Sequence, residues 1–250
     1  MRKLRLRATK LGKIRFTSHR DLARVWERSL RRAELPVASS QGFTPRPRIS
    51  FGLALPTGAE SIAEYVDVDL AEDLTDEEVA GLPAALTPLL PGGFDVLVAA
   101  ERPPSGGSLQ EVVTSCTWEL WAPTLDVRHH RDACLLLDAV SLPLDRERKG
   151  KRSADDVRPL ILDLRVSSEN HGRLIADTAT TGRGLRPSEL AQLAYPHVDP
   201  LDVRVFRTHQ WIDHDGERRE LLPCDLRVSN PAQELAQPAL VGTSPDEVLV

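Results

Sequence analysis

Two successive runs of this chain each read strand, helix, strand, strand, helix, strand, and the Gly/Pro/Ser-rich string R-P-P-S-G-G-S at 102–108 separates them. In the first run, residues 2–9 alternate Leu4, Leu6 and Ala8 with Lys3, Arg5 and Arg7, the pattern of a strand with one wet face. Ile14 and Phe16 suggest a short extended piece. A helix is expected over 19–34. Residues 36–40 and 48–55 read as extended, joined by G-F-T-P-R-P (42–47), whose prolines lack backbone donors and keep that loop out of a sheet interior. Strand 64–70 follows, then a helix capped by Thr75 with Asp76, Glu77 and Glu78 at its positive end, then strand 94–100.

The second run repeats the order with strand 116–121, helix 131–139, a basic loop at 146–152, strands 160–166 and 173–178, a helix at 187–193 with Pro187 as its first residue, and strand 203–211. The expected fold class is therefore α+β, as tandem ferredoxin-like (βαββαβ) domains with antiparallel sheets. The domains are expected at 1–102 and 114–222, with a linker at 103–113 and a flexible tail at 223–250. Only element order repeats; no letter-level repeat accompanies it.

The stretch S-H-R-D-L-A-R-V-W-E-R-S-L-R-R-A-E-L-P (18–36) carries the functional signal. Ser18 can cap the helix, with Asp21 at N3. Leu22, Val25, Trp26, Ser29, Leu30 and Ala33 form one face, and Arg20, Arg24, Arg28, Arg31 and Arg32 the other. Residues 1–55 hold 14 Lys/Arg against three acids, whereas residues 56–145 hold three bases against 17 acids. The formal charge of −5 thus hides two opposed regions, and binding responds to local potential. A polyanion, an acidic partner surface or plain solvent would each suit the arginine face.

No run of about 18 apolar residues is present to span a membrane, and M-R-K-L-R-L-R does not build a signal-peptide core. Three scattered cysteines, Cys116, Cys134 and Cys224, define neither a disulfide framework nor a metal or Fe–S site. A cytoplasmic protein without metal or cofactor is the expectation.

Several strings carry a family resemblance: G-K-I-R-F-T-S-H-R-D-L (12–22), R-R-A-E-L-P (31–36), S-Q-G-F-T-P-R-P-R-I-S-F (40–51), L-P-T-G-A-E-S (55–61) with Glu64, K-G-K (149–151) and D-V-R-P-L-I (156–161). They resemble the radical-SAM-linked protein family, an uncharacterised family found fused to, or encoded beside, cobalamin-binding radical SAM proteins. The likeness covers roughly residues 1–215. It implies a radical SAM protein as partner and, through gene neighbourhood, a place in RNA metabolism. The family often has Leu after Ser-His and Asn-Pro-His-Pro in the loop; here stand Arg20 and Thr44-Pro45-Arg46-Pro47, both adding positive charge. The double ferredoxin-like plan is also similar, more distantly, to RNA-binding proteins that process CRISPR transcripts, several of which cleave with one histidine.

The expected function is an RNA-binding adaptor serving a radical SAM protein in RNA or ribosome-related modification. Arg20, Arg24, Arg28, Arg31, Arg46 and Arg48 would meet phosphates, Phe43 would stack on a base, and Lys149, Lys151, Arg152 and Arg158 would extend the track. His19, at a helix start that favours a neutral proton-accepting ring, is the one catalytic candidate; a His19-dependent, metal-independent endoribonuclease or RNA-modifying enzyme is the alternative. A protein–protein scaffold is the third reading. Packing or hydrogen bonding at the helix start competes with catalysis for His19, and core burial competes with stacking for Phe43.

Overall fold

The computed structural model describes residues 2–102, 107–148, 150–168 and 172–222. Lys149, most of the expected linker's first half and the expected tail lie outside the described residues, as do the side chains of Arg148 and Lys151. In order, the elements are β1 (Lys3–Lys10), α1 (His19–Arg32), β2 (Ile49–Phe51), β3 (Glu60–Asp69), α2 (Asp76–Leu86), β4 (Val96–Glu101), α3 (Leu109–Val112), β5 (Val113–Trp121), α4 (Val127–Cys134), β6 (Pro143–Arg148), β7 (Lys151–Asp156), β8 (Ile161–Val166), β9 (Leu174–Ala179), α5 (Pro187–Ala194), β10 (Arg204–His214) and β11 (Glu217–Glu220).

The architecture is mixed α/β, with few helices on a largely antiparallel sheet. Nine strands run β4-β1-β3-β10-β5-β9-β8, with β2 added to β3 and β11 to β10. A short parallel pairing of β3 with β10, Phe206 opposite Glu60 and Arg207 opposite Ser61, joins the two halves. The β6–β7 hairpin stands apart as a two-stranded sheet.

Two apolar clusters hold the helices to the sheet. In one, Leu4, Leu6 and Ala8 of β1 and Val66 and Val68 of β3 meet Leu22, Trp26 and Leu30 of α1 and Val79, Leu82 and Leu86 of α2. In the other, Cys116, Trp118 and Leu120 of β5 and Leu174 and Ala176 of β9 meet Ala133 of α4 and Leu190 and Ala191 of α5. Each large aliphatic side chain so buried contributes about 1.5–3 kcal/mol. Local signals agree with this packing. The Ser18 hydroxyl accepts the Asp21 N–H at 3.2 Å, and Thr75 with Glu78 closes a complete capping box on α2.

Four local expectations require correction. β1 has no wet face. Arg5 and Arg7 point away from Leu4 and Leu6, as strand alternation demands, yet both are buried. Arg5 makes a bidentate pair with Asp67 at 2.7 and 2.9 Å, and Arg102 reaches the same carboxylate at 3.3 Å. Arg7 donates to Glu220 at 3.0 Å. The segment around Ile14 is a 3-10 helix, Gly12–Phe16, rather than an extension. The helix expected over 131–139 begins earlier, at Val127, because Asp126 caps it by accepting from the Arg128 and His129 N–H groups, and it continues as the 3-10 turn Leu135–Asp138. The basic loop at 146–152 is part of the β6–β7 hairpin. Its Arg146 is buried, bonded to Glu189 and to the carbonyls of Arg183 and Gly184; the alternation was hidden because nearly every residue there is charged.

Candidate functional site

Two of the motif strings, 12–22 and 55–61, meet at the start of α1, with Phe51 and Glu64 beside them. The 3-10 helix before it sets Gly12 N–H on Glu60 Oε1 at 2.7 Å and Arg15 O under the Gly58 N–H at 2.9 Å, so the 12–22 and 55–61 strings are one structural unit. His19 is the first residue of α1. It is exposed, and its ring stands edge-on to Phe51 of β2 at 5.4 Å between centroids.

Below His19 a small cavity of about 20 Å³ is lined by Lys10, Leu22, Trp26, Phe51, Leu53, Ala54 and Glu64, among others. That is room for about one water. Lys10 is buried there, its Nζ donating to Thr17 O at 3.0 Å. Burial pulls its ammonium pKa down, Glu64 pulls it back up, and Arg207 adds to the depression. Glu64 accepts from Arg207 Nη2 at 2.6 Å. The sequence marked Glu64 but missed Lys10 and Arg207. The signal was available: each is a charge in a position that strand alternation assigns to the helical side of the sheet.

The outer face of α1 carries exposed Arg20, Arg24, Arg28, Arg31 and Arg32. Arg24 has a neighbouring carboxylate, Asp21 at 3.4 Å, in an exposed pair of small energetic weight. The 40–48 loop is open to solvent: Phe43 is fully exposed, and Arg46 is exposed with its backbone N–H on Ser40 Oγ at 3.0 Å. Arg48 is half exposed and pairs with Asp69 at 3.0 Å. The structure therefore keeps Phe43 out of the core, as stacking on a base requires.

The second-half candidates divide. Arg152 is exposed on β7, loosely beside Glu147 at 3.7 Å. Arg158 is committed to the fold, donating to Leu137 O at 3.1 and 2.7 Å and to Ile161 O at 2.8 Å. The β6–β7 hairpin is fastened through Arg146 to the segment just before α5, and that segment borders a second cavity, of about 260 Å³. Leu53 and Ala54 belong to the walls of both cavities, so the His19 end of α1 and the hairpin's anchor flank one continuous region.

A sequence profile of an uncharacterised protein family conserved in bacteria (DUF2344) matches residues 3–187. The chain belongs to this family. The matched segment holds β1 through the first residue of α5 and so includes Lys10, His19, Glu64 and the 40–48 loop; β10, with Arg207, follows it. No curated protein matches the chain. Among the described residues, no helix is long and apolar enough to cross a membrane, and no cluster of three His, Cys, Asp or Glu side chains is grouped to hold a metal ion.

Proposed function

We propose that this protein is a cytoplasmic RNA-binding adaptor that presents RNA to a radical SAM protein. The observation that carries the reading is the separation of its arginines. Those of β1 are paired with carboxylates inside the fold, whereas Arg20, Arg28, Arg31, Arg32 and Arg46 are exposed and make no salt bridge among the described residues. With fully exposed Phe43 nearby in sequence, this supplies a phosphate track and a stacking platform, the two parts that single-strand binders use. The radical SAM partner follows from the sequence resemblance.

The tandem ferredoxin-like reading is part of the same proposal. Strand order β4-β1-β3-β2 in the first half and β10-β5-β9-β8 in the second supports it, because each half then follows the 4-1-3-2 arrangement of a βαββαβ unit, with β6–β7 as an insertion in the second.

Titration with a structured and a single-stranded RNA at two salt concentrations tests the adaptor, with affinity expected to fall steeply as salt rises. A radical SAM protein should co-purify with the tagged chain. The His19-dependent enzyme is the second reading, favoured by His19 standing over a cavity that also holds Lys10 and Glu64. Metal-free incubation of the purified protein with the same RNAs separates the two. The adaptor predicts no cleavage and a modest loss of binding in His19→Ala; turnover that disappears in that variant would promote the enzyme.

A further inference from the structure

The larger cavity is built differently from the arginine track. Its apolar walls are Leu53, Ala54, Pro56, Trp118, Leu185 and Pro187. At about 260 Å³ it falls just below the range of roughly 300–1,000 Å³ typical of drug-sized ligands, a size suited to one ring system. Its polar lining is Arg207, 1% exposed, with Cys116, Thr178, Thr180 and Arg186. Arg207 Nη2 donates to Leu53 O at 2.9 Å and to Glu64 Oε1 at 2.6 Å, and the guanidinium lies over the Trp118 ring at 5.4 Å. Its Nε, also buried, has no hydrogen-bond partner among the described residues, and the Cys116 thiol interacts with the guanidinium. A buried donor left unmade costs about 1–3 kcal/mol, so this N–H calls for an acceptor from a ligand.

The charge around that donor selects the ligand. Glu64 already neutralises Arg207 and would repel an anion. The backbone N–H of Arg186, at the start of α5, is taken by Glu189 at 2.8 Å and is not free for a phosphate. Thr178 Oγ1 is engaged by the Trp118 indole and Thr180 Oγ1 by Val113 O, which leaves this N–H and the exposed Arg186 side chain as donors among apolar walls, a set that suits a flat ring with acceptors on its edge. We propose that this cleft takes a single nucleobase, turned out of a single strand whose phosphates lie along α1. The inference rests on the RNA reading for the strand but not for the base. Trp118 is held by its indole N–H on Thr178 Oγ1 at 3.0 Å and forms the floor. Leu53 and Ala54 form the lip shared with the cavity under His19.

The full-length protein tests this with two probes, free nucleosides (uridine and adenosine) and a single-stranded oligoribonucleotide. At least one nucleoside should shift the Trp118 indole N–H resonance saturably and independently of salt, since a nucleoside carries no phosphate. Ala54→Phe, at an exposed position on the lip, should abolish that shift. It should also weaken the oligonucleotide by about tenfold, the value of one stacked base, with its salt dependence unchanged. If the oligonucleotide binds with steep salt dependence but neither nucleoside shifts Trp118, the cleft is not a base site and the RNA reading survives. If a nucleoside shifts Trp118 but the oligonucleotide does not bind, the RNA reading fails and the cleft stands as a nucleoside site. Silence from both probes overturns both.

Discussion

The arginines of β1 and those of α1 lie within one basic stretch of sequence, yet the fold treats them oppositely. In β1 a period of two alternates leucine with arginine, and the residues of both faces are buried, so each arginine must find a carboxylate. Arg5 finds Asp67 and Arg7 finds Glu220. In α1 a period of 3.6 gives Leu22, Trp26 and Leu30 one side to bury and leaves the arginines a side that nothing covers. Part of the charge asymmetry of the sequence is therefore a pairing code for the sheet. Arg2 with Asp76 and Glu101, Arg15 with Glu60, and Arg48 with Asp69 extend the same code. Arg20, Arg28, Arg31 and Arg32 of α1 and Arg46 of the 40–48 loop, all exposed, lie outside this code among the described residues.

Breaking the strand side should have the largest effect. Asp67→Ala leaves Arg5 buried without its counter-charge and removes a contact of Arg102, so we expect a loss of about 3–5 kcal/mol in urea or thermal unfolding. RNA affinity of the folded fraction should be unchanged. If affinity fell with stability intact, the division between strand and helix arginines would be wrong.

A smaller effect is expected at the helix start. Ser18→Ala removes the acceptor for the Asp21 N–H and should cost about 1 kcal/mol, again by unfolding, with some loss of RNA affinity because α1 carries the proposed track. Ser18→Asp should restore the stability.

The smallest effect is a pH dependence of stability. His209 stacks on Trp211 at 4.7 Å. Burial holds its pKa below the ordinary value, Glu220 and Asp177 oppose that shift, and Arg7 and Arg218 add to it. A depressed folded pKa means the unfolded chain binds the proton first. The stability is present above the unfolded value of about 6.5 and is lost as pH falls through the lower folded one. Unfolding midpoints between pH 7.5 and 5.5 should show a decline, and His209→Gln should flatten it. His130, buried against the Tyr195 hydroxyl at 2.7 Å, is shifted down for the same first reason and accounts for part of what remains.

Periodicity and capping made most of the elements legible. Ser18, Thr75 and Pro187 each mark a helix start that the structure keeps, and the alternation around Tyr65 and Val66 identified β3. The errors occurred where charge stood in for the usual apolar signal. Arg5, Arg7 and Arg146 look like surface residues until their distant carboxylates, in β3, β11 and α5, are placed beside them. Those partners are 62, 213 and 43 residues away, and no local pattern encodes them. The exposed arginine face could be read because it belongs to one helix and one loop. The cleft could not, because Leu53, Trp118, Leu185 and Arg207 come from four separated segments that only the joined sheet assembles.

The central claim, that the exposed helix arginines and not the buried strand arginines meet RNA phosphates, is tested most directly by the slope of log affinity against log salt. Wild type should be compared with an Arg20→Gln, Arg24→Gln, Arg31→Gln triple variant on one single-stranded RNA. Exposed substitutions of this kind move stability by about 0.5 kcal/mol at most each, so the variant remains folded. Each lost phosphate contact on a single strand removes about 0.7 from the slope, and the triple variant should lose about 2. A slope identical to wild type, or an affinity that ignores salt in both proteins, would contradict the account.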